Sequence, residues 1–532
     1  MTSPRVTPPD HAGQVARSAL IIVGGSLLPF GVGLLRRRVI AGLFGTAFAF
    51  DAYSAVDSVS ELIVTLAVGA FAFAFMPMYI ELREQNRQGE ANLLASRVIN
   101  LLAILVGFAA LAVTVFAPVI VASPLGIGPG YSRDVQALMV DLLRVLMFSM
   151  ILFALSSIVT GILHAHRHFW LPALAPTVYS IGIMAGAYLL TPTLGIVGLA
   201  WGAVAGAALH LLIQIPGLIR HQFRWSFSLN FIDPTLIRVF LLMLPRIADL
   251  ILARITLSLV GANLNSYLGE GRQSAMTYAY SIMNIPWTLV GTAIGFAVFP
   301  VLASLAASHD LDAQRRGLSG SLRAVLTLVI PSAVGLLALG HPLIQVLYQG
   351  ENFTPESADL VYYALQFYVV ALISQSMLDI VVRSYAAQKD TLTPLLVSVF
   401  TTALNIALAI WLTRPIASGG LEHGGPPLAN GIAVGIEAIT GLIILHFRWK
   451  GIGARQIIVD SLKSIFAAGV MGGVIYLMSS LLQLGAIALL IVGGGVGAVT
   501  YFGVALALGI QEIKTIPLTI MQRLWRSLRQ GT

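Results

Sequence analysis

Charged side chains are scarce in this chain. Of 532 residues, 31 are Lys or Arg and 23 are Asp or Glu. Several nevertheless fall inside long apolar stretches, where an ionisable group is costly and marks a functional site by default. Arg36, Arg37 and Arg38 follow the first stretch, and Asp51 opens the second. Asp57 and Glu61, four apart on one helical face, continue the second. Arg246, Asp249 and Arg254 lie in the seventh, Asp379 and Arg383 in the tenth and Glu437 in the twelfth. A guanidinium offers a planar fork that matches phosphate oxygens, so these arginines are suited to an anion. Asp51 suits a helix N-cap or a pair with an arginine. Asp57 and Glu61 suit a partner for the arginines, a cation or a solvated helix face. Arg246 and Asp249 are spaced to pair, which leaves Arg254 to line a site, snorkel or meet an acid on another helix. Asp379 and Arg383 are spaced to pair with each other. Asp379 and Glu437 are the candidate cation or proton sites, with structural pairing as the default.

Other chemistries are excluded. There is no cysteine, so disulfides, thiol catalysis and zinc-thiolate sites are ruled out. The cluster His164-Ala-His166-Arg-His168 has no acidic companion and reads as a basic anchor in a turn rather than a metal site. Gly350-Glu-Asn-Phe353 is a turn, and no Walker motif is present. No catalytic constellation appears, so the expectation is a transporter without a cofactor, not an enzyme.

The elements that position these residues must be membrane helices. Hydrophobic residues make up 57% and charged residues 10% of the chain, against about 25% charged in soluble domains. Apolar stretches near the length needed to cross about 30 Å of hydrocarbon recur from Ser18 to Gly509. They are continuously apolar, which disfavours a barrel. No cleavable signal peptide is evident, because Met1–Gln14 is polar and the first apolar run leads into arginines. The fold class expected is all-α and polytopic, with about fourteen spans. The first span is broken by Pro29, and the seventh is the other weak one. The divisions are a tail (1–17), six spans (18–224), six more (225–450), two extra spans (451–513) and a basic tail (514–532).

Basic residues gather in alternate loops: Arg83, Arg87 and Arg97, then Arg167, Arg220 and Arg224, Arg315, Arg316 and Arg323, Lys389, and Arg448, Lys450, Arg455 and Lys463. The intervening loops hold only Arg133, Arg272 and Arg414. By the positive-inside rule both termini are cytoplasmic. The net charge of +8 is therefore topological and implies no nucleic-acid partner. The tail 514–529 spaces basic residues beside Leu518, Met521, Leu524 and Trp525, as an amphipathic surface helix or a solvated tail would.

A repeat is visible. Gly69-Ala-Phe-Ala-Phe-Ala-Phe-Met-Pro77 is echoed by Gly295-Phe-Ala-Val-Phe-Pro300, and His168-Phe-Trp-Leu-Pro172 by Asp390-Thr-Leu-Thr-Pro394. The two proline offsets differ by one residue. Six spans are thus followed by six in the same orientation, a pattern typical of transporters.

These segments, with Ile40-Ala-Gly-Leu-Phe-Gly45, Asp51-Ala-Tyr53, Leu171-Pro-Ala-Leu-Ala-Pro176, Gly198-Leu-Ala-Trp-Gly202, Leu244-Pro-Arg246, Phe353-Thr354 and Tyr385-Ala386, carry a resemblance. The chain resembles the MurJ (MviN) family of lipid II flippases, within the multidrug/oligosaccharidyl-lipid/polysaccharide exporter superfamily. The resemblance implies fourteen spans, two six-helix lobes and a hydrophobic groove beside spans thirteen and fourteen. It implies export of an undecaprenyl-diphosphate-linked cell-wall precursor across the bacterial inner membrane by alternating access, by a monomer. Arg36 aligns with a family arginine that faces the central cavity, and Arg254 is the second candidate for the diphosphate. Asp51 aligns with a family aspartate that orders the gate between the lobes. The driving force would be the membrane potential or a Na+ or H+ gradient.

The chain also departs from the family. Phe30 and Ser281 stand where members carry cavity arginines, Ile63, Val64 and Val68 where they carry arginines and a glutamate, and Gly261 where some carry a sodium-binding aspartate. The thinner charge keeps open another polyprenyl-linked glycan or an amphiphilic drug as cargo. A membrane glycosyltransferase would need a catalytic carboxylate in a sizeable outer loop, and those loops are short. A scaffold without transport would tolerate loss of Arg36 and Asp51.

Overall fold

Helices dominate because a backbone in hydrocarbon must satisfy its own N–H and C=O groups. A computed structural model describes residues 11–228, 259–307, 310–482, 484–510 and 512–513, with no strand among them. The long helices are α1 (His11–Phe44), α2 (Phe48–Glu84), α3 (Gln88–Ala122), α4 (Arg133–Ala165), α5 (Trp170–Leu189) and α6 (Ile196–Leu212). They continue as α7 (Arg272–Pro286), α8 (Ala293–Ala307), α9 (Leu311–Tyr348), α10 (Pro355–Ala387) and α11 (Leu392–Leu412). The last are α12 (Gly425–Arg448), α13 (Ala454–Leu482) and α14 (Ala486–Ala507). Eleven helices among the described residues are long and apolar enough to cross a membrane. With α1, α2 and the seventh apolar stretch, most of which lies outside the described residues, this agrees with about fourteen spans. The first span differs from expectation. α1 starts at His11 and runs unbroken through Pro29, because one lost backbone hydrogen bond does not end a long helix.

The chain forms two compact units, Met1–Gly45 with Ala52–Ile251 and Thr46–Asp51 with Leu252–Thr532. A short piece is thus exchanged: the first residues of α2 and their approach count with the second unit.

In the first unit α1 packs on α5, α3 on α4, and both α4 and α5 on α6. The α5–α6 contact is made by glycines. A Cβ on Gly182 would overlap the backbone of Gly206, and one on Gly186 that of Gly202. Lipid gives no hydrophobic drive between helices, so such close backbone approach is what associates them.

In the second unit α7 packs on α10, α9 on α10 and α13, and α12 on both α10 and α11. The eighth span is not uniform: a π-helical segment, Trp287–Thr292, separates α7 from α8. Helices α13 and α14, outside the repeat, are fastened to α9. Tyr501 Oη donates to the Thr327 carbonyl at 2.5 Å. Arg323 lies 3.0 Å from Asp460 and 3.1 Å from Glu512, both buried. Arg323, expected as a loop charge, is therefore a structural ion-pair residue within α9.

Two turns that the expected repeat aligns share a backbone geometry, one also found at Asn86, Gln222 and Lys450. After α4, Arg167 adopts a left-handed φ of 57°, and after α10, Lys389 adopts 61°. Both turns close with the same two bonds: Arg167 N to His164 O and His168 N to Leu163 O, then Lys389 N to Ala386 O and Asp390 N to Tyr385 O. These orphan carbonyls are satisfied in the Schellman manner, at the offset that separates Pro172 from Pro394.

Candidate functional site

In the first unit, the functional side chains come from α1, α2 and α5. The Arg36 guanidinium carbon lies 5.6 Å from the centre of the Tyr179 ring. Its Nε is buried without a hydrogen-bond partner, and among the described residues the guanidinium makes no ion pair. Asp57, one turn past the buried Tyr53, is within electrostatic reach of Arg36, Glu61, Tyr53 and Tyr179. Asp57 is half-buried and Glu61 exposed. The structure therefore brings Arg36, Asp57 and Glu61 together, as their spacing allowed. It adds Tyr179, which no sequence pattern connected to them. A cation over an aromatic face with neighbouring carboxylates suits an anion that can displace those carboxylates from the guanidinium's field.

Sequence reasoning missed a second polar group in this unit. His210 of α6 faces Ser156 and Thr160 of α4, with the fully buried Gln214 beyond it. Its signal was a titratable residue inside an apolar span, which alone marks a site.

At the end of α4, His166 and His168 meet His221, whose rings lie 4.4 and 5.4 Å away. Tyr79 Oη lies 3.2 Å from His166 Nε2, and Arg83 donates to the Ala165 carbonyl. Burial first, then Arg83 and the other two imidazoles, pushes His166 down to about 4. No group of three His, Asp or Glu able to hold a metal occurs among the described residues.

In the second unit Asp51 is buried in the first turn of α2, but it caps another helix. Its Oδ2 accepts from Gly271 N at 2.7 Å, and its Oδ1 accepts from Ser274 N at 2.7 Å and Ser274 Oγ at 2.5 Å. The N-terminus of α7 has no side-chain cap of its own. Gly271 is required there, since its φ is +84° and a Cβ would press on Thr46 and Leu360. The Phe48 amide donates to Glu270 at 2.9 Å, and Thr46 Oγ1 lies 2.8 Å from Ser357 Oγ.

Asp379 and Arg383 make no direct ion pair, contrary to expectation, although Arg383 stays within electrostatic reach of the carboxylate. Asp379 Oδ2 accepts from the Trp287 indole at 3.1 Å and from Thr292 Oγ1 at 3.3 Å, one at each end of the π-helical segment. Arg383 turns instead onto the Phe296 ring, 4.3 Å from its centre, beneath Gly295. The π-helical segment supplies donors to Asp379 that helical spacing alone could not foresee. Glu437 accepts from Thr401 Oγ1 at 3.0 Å. Arg246, Asp249 and Arg254 lie outside the described residues, as does the tail 514–532. Ser281, where an arginine was absent, is buried and bonds the Thr277 carbonyl of its own helix at 3.0 Å.

A family model described as lipid II flippase MurJ matches residues 40–493. The chain belongs to the MurJ family. The family is one of flippases, so the protein is a multi-pass membrane transporter rather than an enzyme. It is 27% identical to lipid II flippase MurJ of Burkholderia cenocepacia over 82% of this chain and 84% of that one. It is 26% identical to a probable lipid II flippase MurJ of Bdellovibrio bacteriovorus over 94% and 96%. Among solved structures, a MurJ in an inward closed conformation matches at a TM-score of 0.76 and 24% identity, over 91% of this chain and 98% of that one. An inward-facing MATE multidrug transporter of the MOP superfamily matches at 0.68 and 14%, over 81% and 98%. These two likenesses establish the fold.

Proposed function

We propose that the protein flips lipid II, the undecaprenyl-diphosphate-linked peptidoglycan precursor, across the bacterial inner membrane by alternating access. The observation that carries the cargo is Arg36: a guanidinium on an aromatic face, with no protein ion pair among the described residues, inside a chain of this family. Its fork would hold the diphosphate while Asp57 and Glu61 balance its charge when no lipid is bound. The polyprenyl tail would remain in the bilayer. Both termini would be cytoplasmic, as the loop charges require. The protein would act as a monomer, with Arg254 as a second diphosphate ligand. The driving force would be the membrane potential or a cation gradient, with Asp379 and Glu437 as cation or proton sites.

A second reading keeps the fold and takes another polyprenyl-linked glycan. Phe30 and Ser281 favour it, since each replaces a cationic contact with a neutral one.

The test is complementation. A host depleted of its own lipid II flippase should grow when given this chain and fail when given Arg36→Ala at equal membrane level. Good membrane expression of the unaltered chain without growth rejects lipid II and leaves the second reading.

A further inference from the structure

The site around Arg36 offers more open donors than the arginine alone. Arg36 Nε is buried without a partner, while its two terminal nitrogens are reachable and make no hydrogen bond with a described residue. The hydroxyl of Tyr179 is in the same condition. It bonds no described residue, and the side chain is half-buried rather than sealed. Tyr53, the other tyrosine in this field, is buried at 6% exposure. Tyr179 is therefore the more open of the two.

Depth makes that hydroxyl informative. Tyr179 is the tenth of the 20 residues of α5. At 1.5 Å per residue it lies about 14 Å from one end of the helix and about 15 Å from the other, near the middle of about 30 Å of hydrocarbon. A hydroxyl without a partner at that depth is costly against lipid. It is tolerated where it meets water or a polar ligand. Its electrostatic neighbours, Asp57, Arg36 and Glu61, are the charged groups of the site. The hydroxyl is thus on the polar side of the unit, not the lipid side.

The ring is held from three helices. Phe153 of α4 meets it edge-on at 4.8 Å. Gly206 of α6 lies so close that a Cβ there would sit 2.9 Å from ring carbon Cδ2 and 2.6 Å from the Tyr179 carbonyl oxygen. From α1, Arg36 reaches the ring with its guanidinium carbon 5.6 Å from the centre. A π face attracts a guanidinium without occupying any of its N–H donors. A carboxylate in the same place would fill the fork and compete with an incoming phosphate. The ring therefore holds the cation and leaves its terminal donors open.

We infer that Tyr179 is a further binding residue for the diphosphate: its ring positions the Arg36 guanidinium, and its hydroxyl donates to an oxygen of the anion that Arg36 holds. This rests on the diphosphate cargo proposed above. A tyrosine hydroxyl is a donor, and a hydrogen bond to an ionised acceptor is stronger than one between neutral groups. The two roles separate chemically, because phenylalanine keeps the ring and lacks the donor.

The test measures binding of undecaprenyl diphosphate to the full chain in lipid nanodiscs. Tyr179→Phe should weaken binding about tenfold, the size of a hydrogen bond to a charged group. Its unfolding temperature should not change, because no bond within the protein is lost. Wild-type affinity in Tyr179→Phe overturns the hydroxyl contact, and so does a lower unfolding temperature, which would reveal a partner in the protein. Tyr179→Leu removes the ring as well and should weaken binding by about threefold more than Tyr179→Phe. Tyr179→Met serves in its place if that variant assembles poorly. The extra loss should vanish in an Arg36→Ala background, because the ring acts through Arg36. An extra loss of the same size in that background overturns the ring's role. Wild type that binds inorganic pyrophosphate but not undecaprenyl diphosphate, with the Tyr179→Phe loss intact, rejects the lipid cargo and keeps the contact. Wild type that binds neither overturns both.

Discussion

Asp51 and Ser274 form a cap between two helices. A single carboxylate oxygen of Asp51 accepts both the backbone amide and the hydroxyl of Ser274, at 2.7 and 2.5 Å, and the other accepts Gly271 N. The start of α7 carries a partial positive charge and unsatisfied N–H groups, and a residue from the start of α2 supplies what they need. Asp51→Ala should therefore lower stability by about 2–3 kcal/mol, because three buried donors lose their acceptor. Asp51→Asn should cost less, since one oxygen still accepts. Thermal unfolding in detergent checks the order. An Asp51→Ala protein as stable as wild type would remove the cap from consideration.

Arg323 stands between two buried acids. Removing it leaves Asp460 and Glu512 without their shared cation, so Arg323→Ala should cost about 3–5 kcal/mol. Lys463 stays 3.9 Å from Asp460, so adding Asp460→Asn and Glu512→Gln should relieve the loss in part, by removing the charges that shared Arg323. A triple variant no more stable than the single one would contradict this account.

The α5–α6 contact admits no side chain. Gly186→Leu should separate the two helices, at a cost of at least about 1–3 kcal/mol for overpacking, while Gly195→Ala tests only backbone strain at φ +57°. Cross-linking of cysteines placed at positions 179 and 209 would report the separation. Undiminished cross-linking in Gly186→Leu would count against the close approach.

Trp287 and Thr292 share Asp379 across the π-helical segment. Trp287→Phe and Thr292→Val should each cost about 1 kcal/mol, and the pair should be non-additive by at least about 0.5 kcal/mol. Either change should also slow transport if the segment bends during the cycle. A double variant equal to the sum of its parts would mean the two bonds act independently.

Asp390 sets the acid limit of one turn. Burial alone would raise its carboxyl, but the bonds from Arg448 and from the amide and hydroxyl of Thr393 outweigh it and hold it down to about 2. A depressed folded value stabilises above the unfolded one, near 3.8, and that stabilisation is lost as pH falls from about 4 to 2. The difference in unfolding temperature between wild type and Asp390→Asn should be full at pH 6 and shrink over that window. A difference that stayed constant from pH 6 to pH 2 would exclude Asp390 as its source.

The membrane, the all-helical class and the repeat were legible in the sequence because each depends on local or periodic composition. Long apolar runs dictate helices wherever water is absent, and the echo of Pro172 in Pro394 followed the same turn that Arg167 and Lys389 make in the backbone. Asp57 and Glu61 were legible as one face by spacing alone.

What the tertiary structure decided were partnerships between residues far apart in the chain. Spacing suggested that Asp379 would meet Arg383, and a π-helical segment on another span took the aspartate instead. Asp51 read as a helix N-cap or an arginine's partner, and it caps a helix that begins at Arg272. Arg323 read as a loop charge and is an ion-pair residue of α9. Tyr179 gave no pattern and His210 only its place in an apolar span, since it is the packing of α1 on α5 and of α4 on α6 that brings them near Arg36 and Ser156. A sequence determines which residues are costly to bury, because that cost belongs to the side chain. Which group relieves the cost belongs to the packing, and packing joins residues that the chain itself keeps apart.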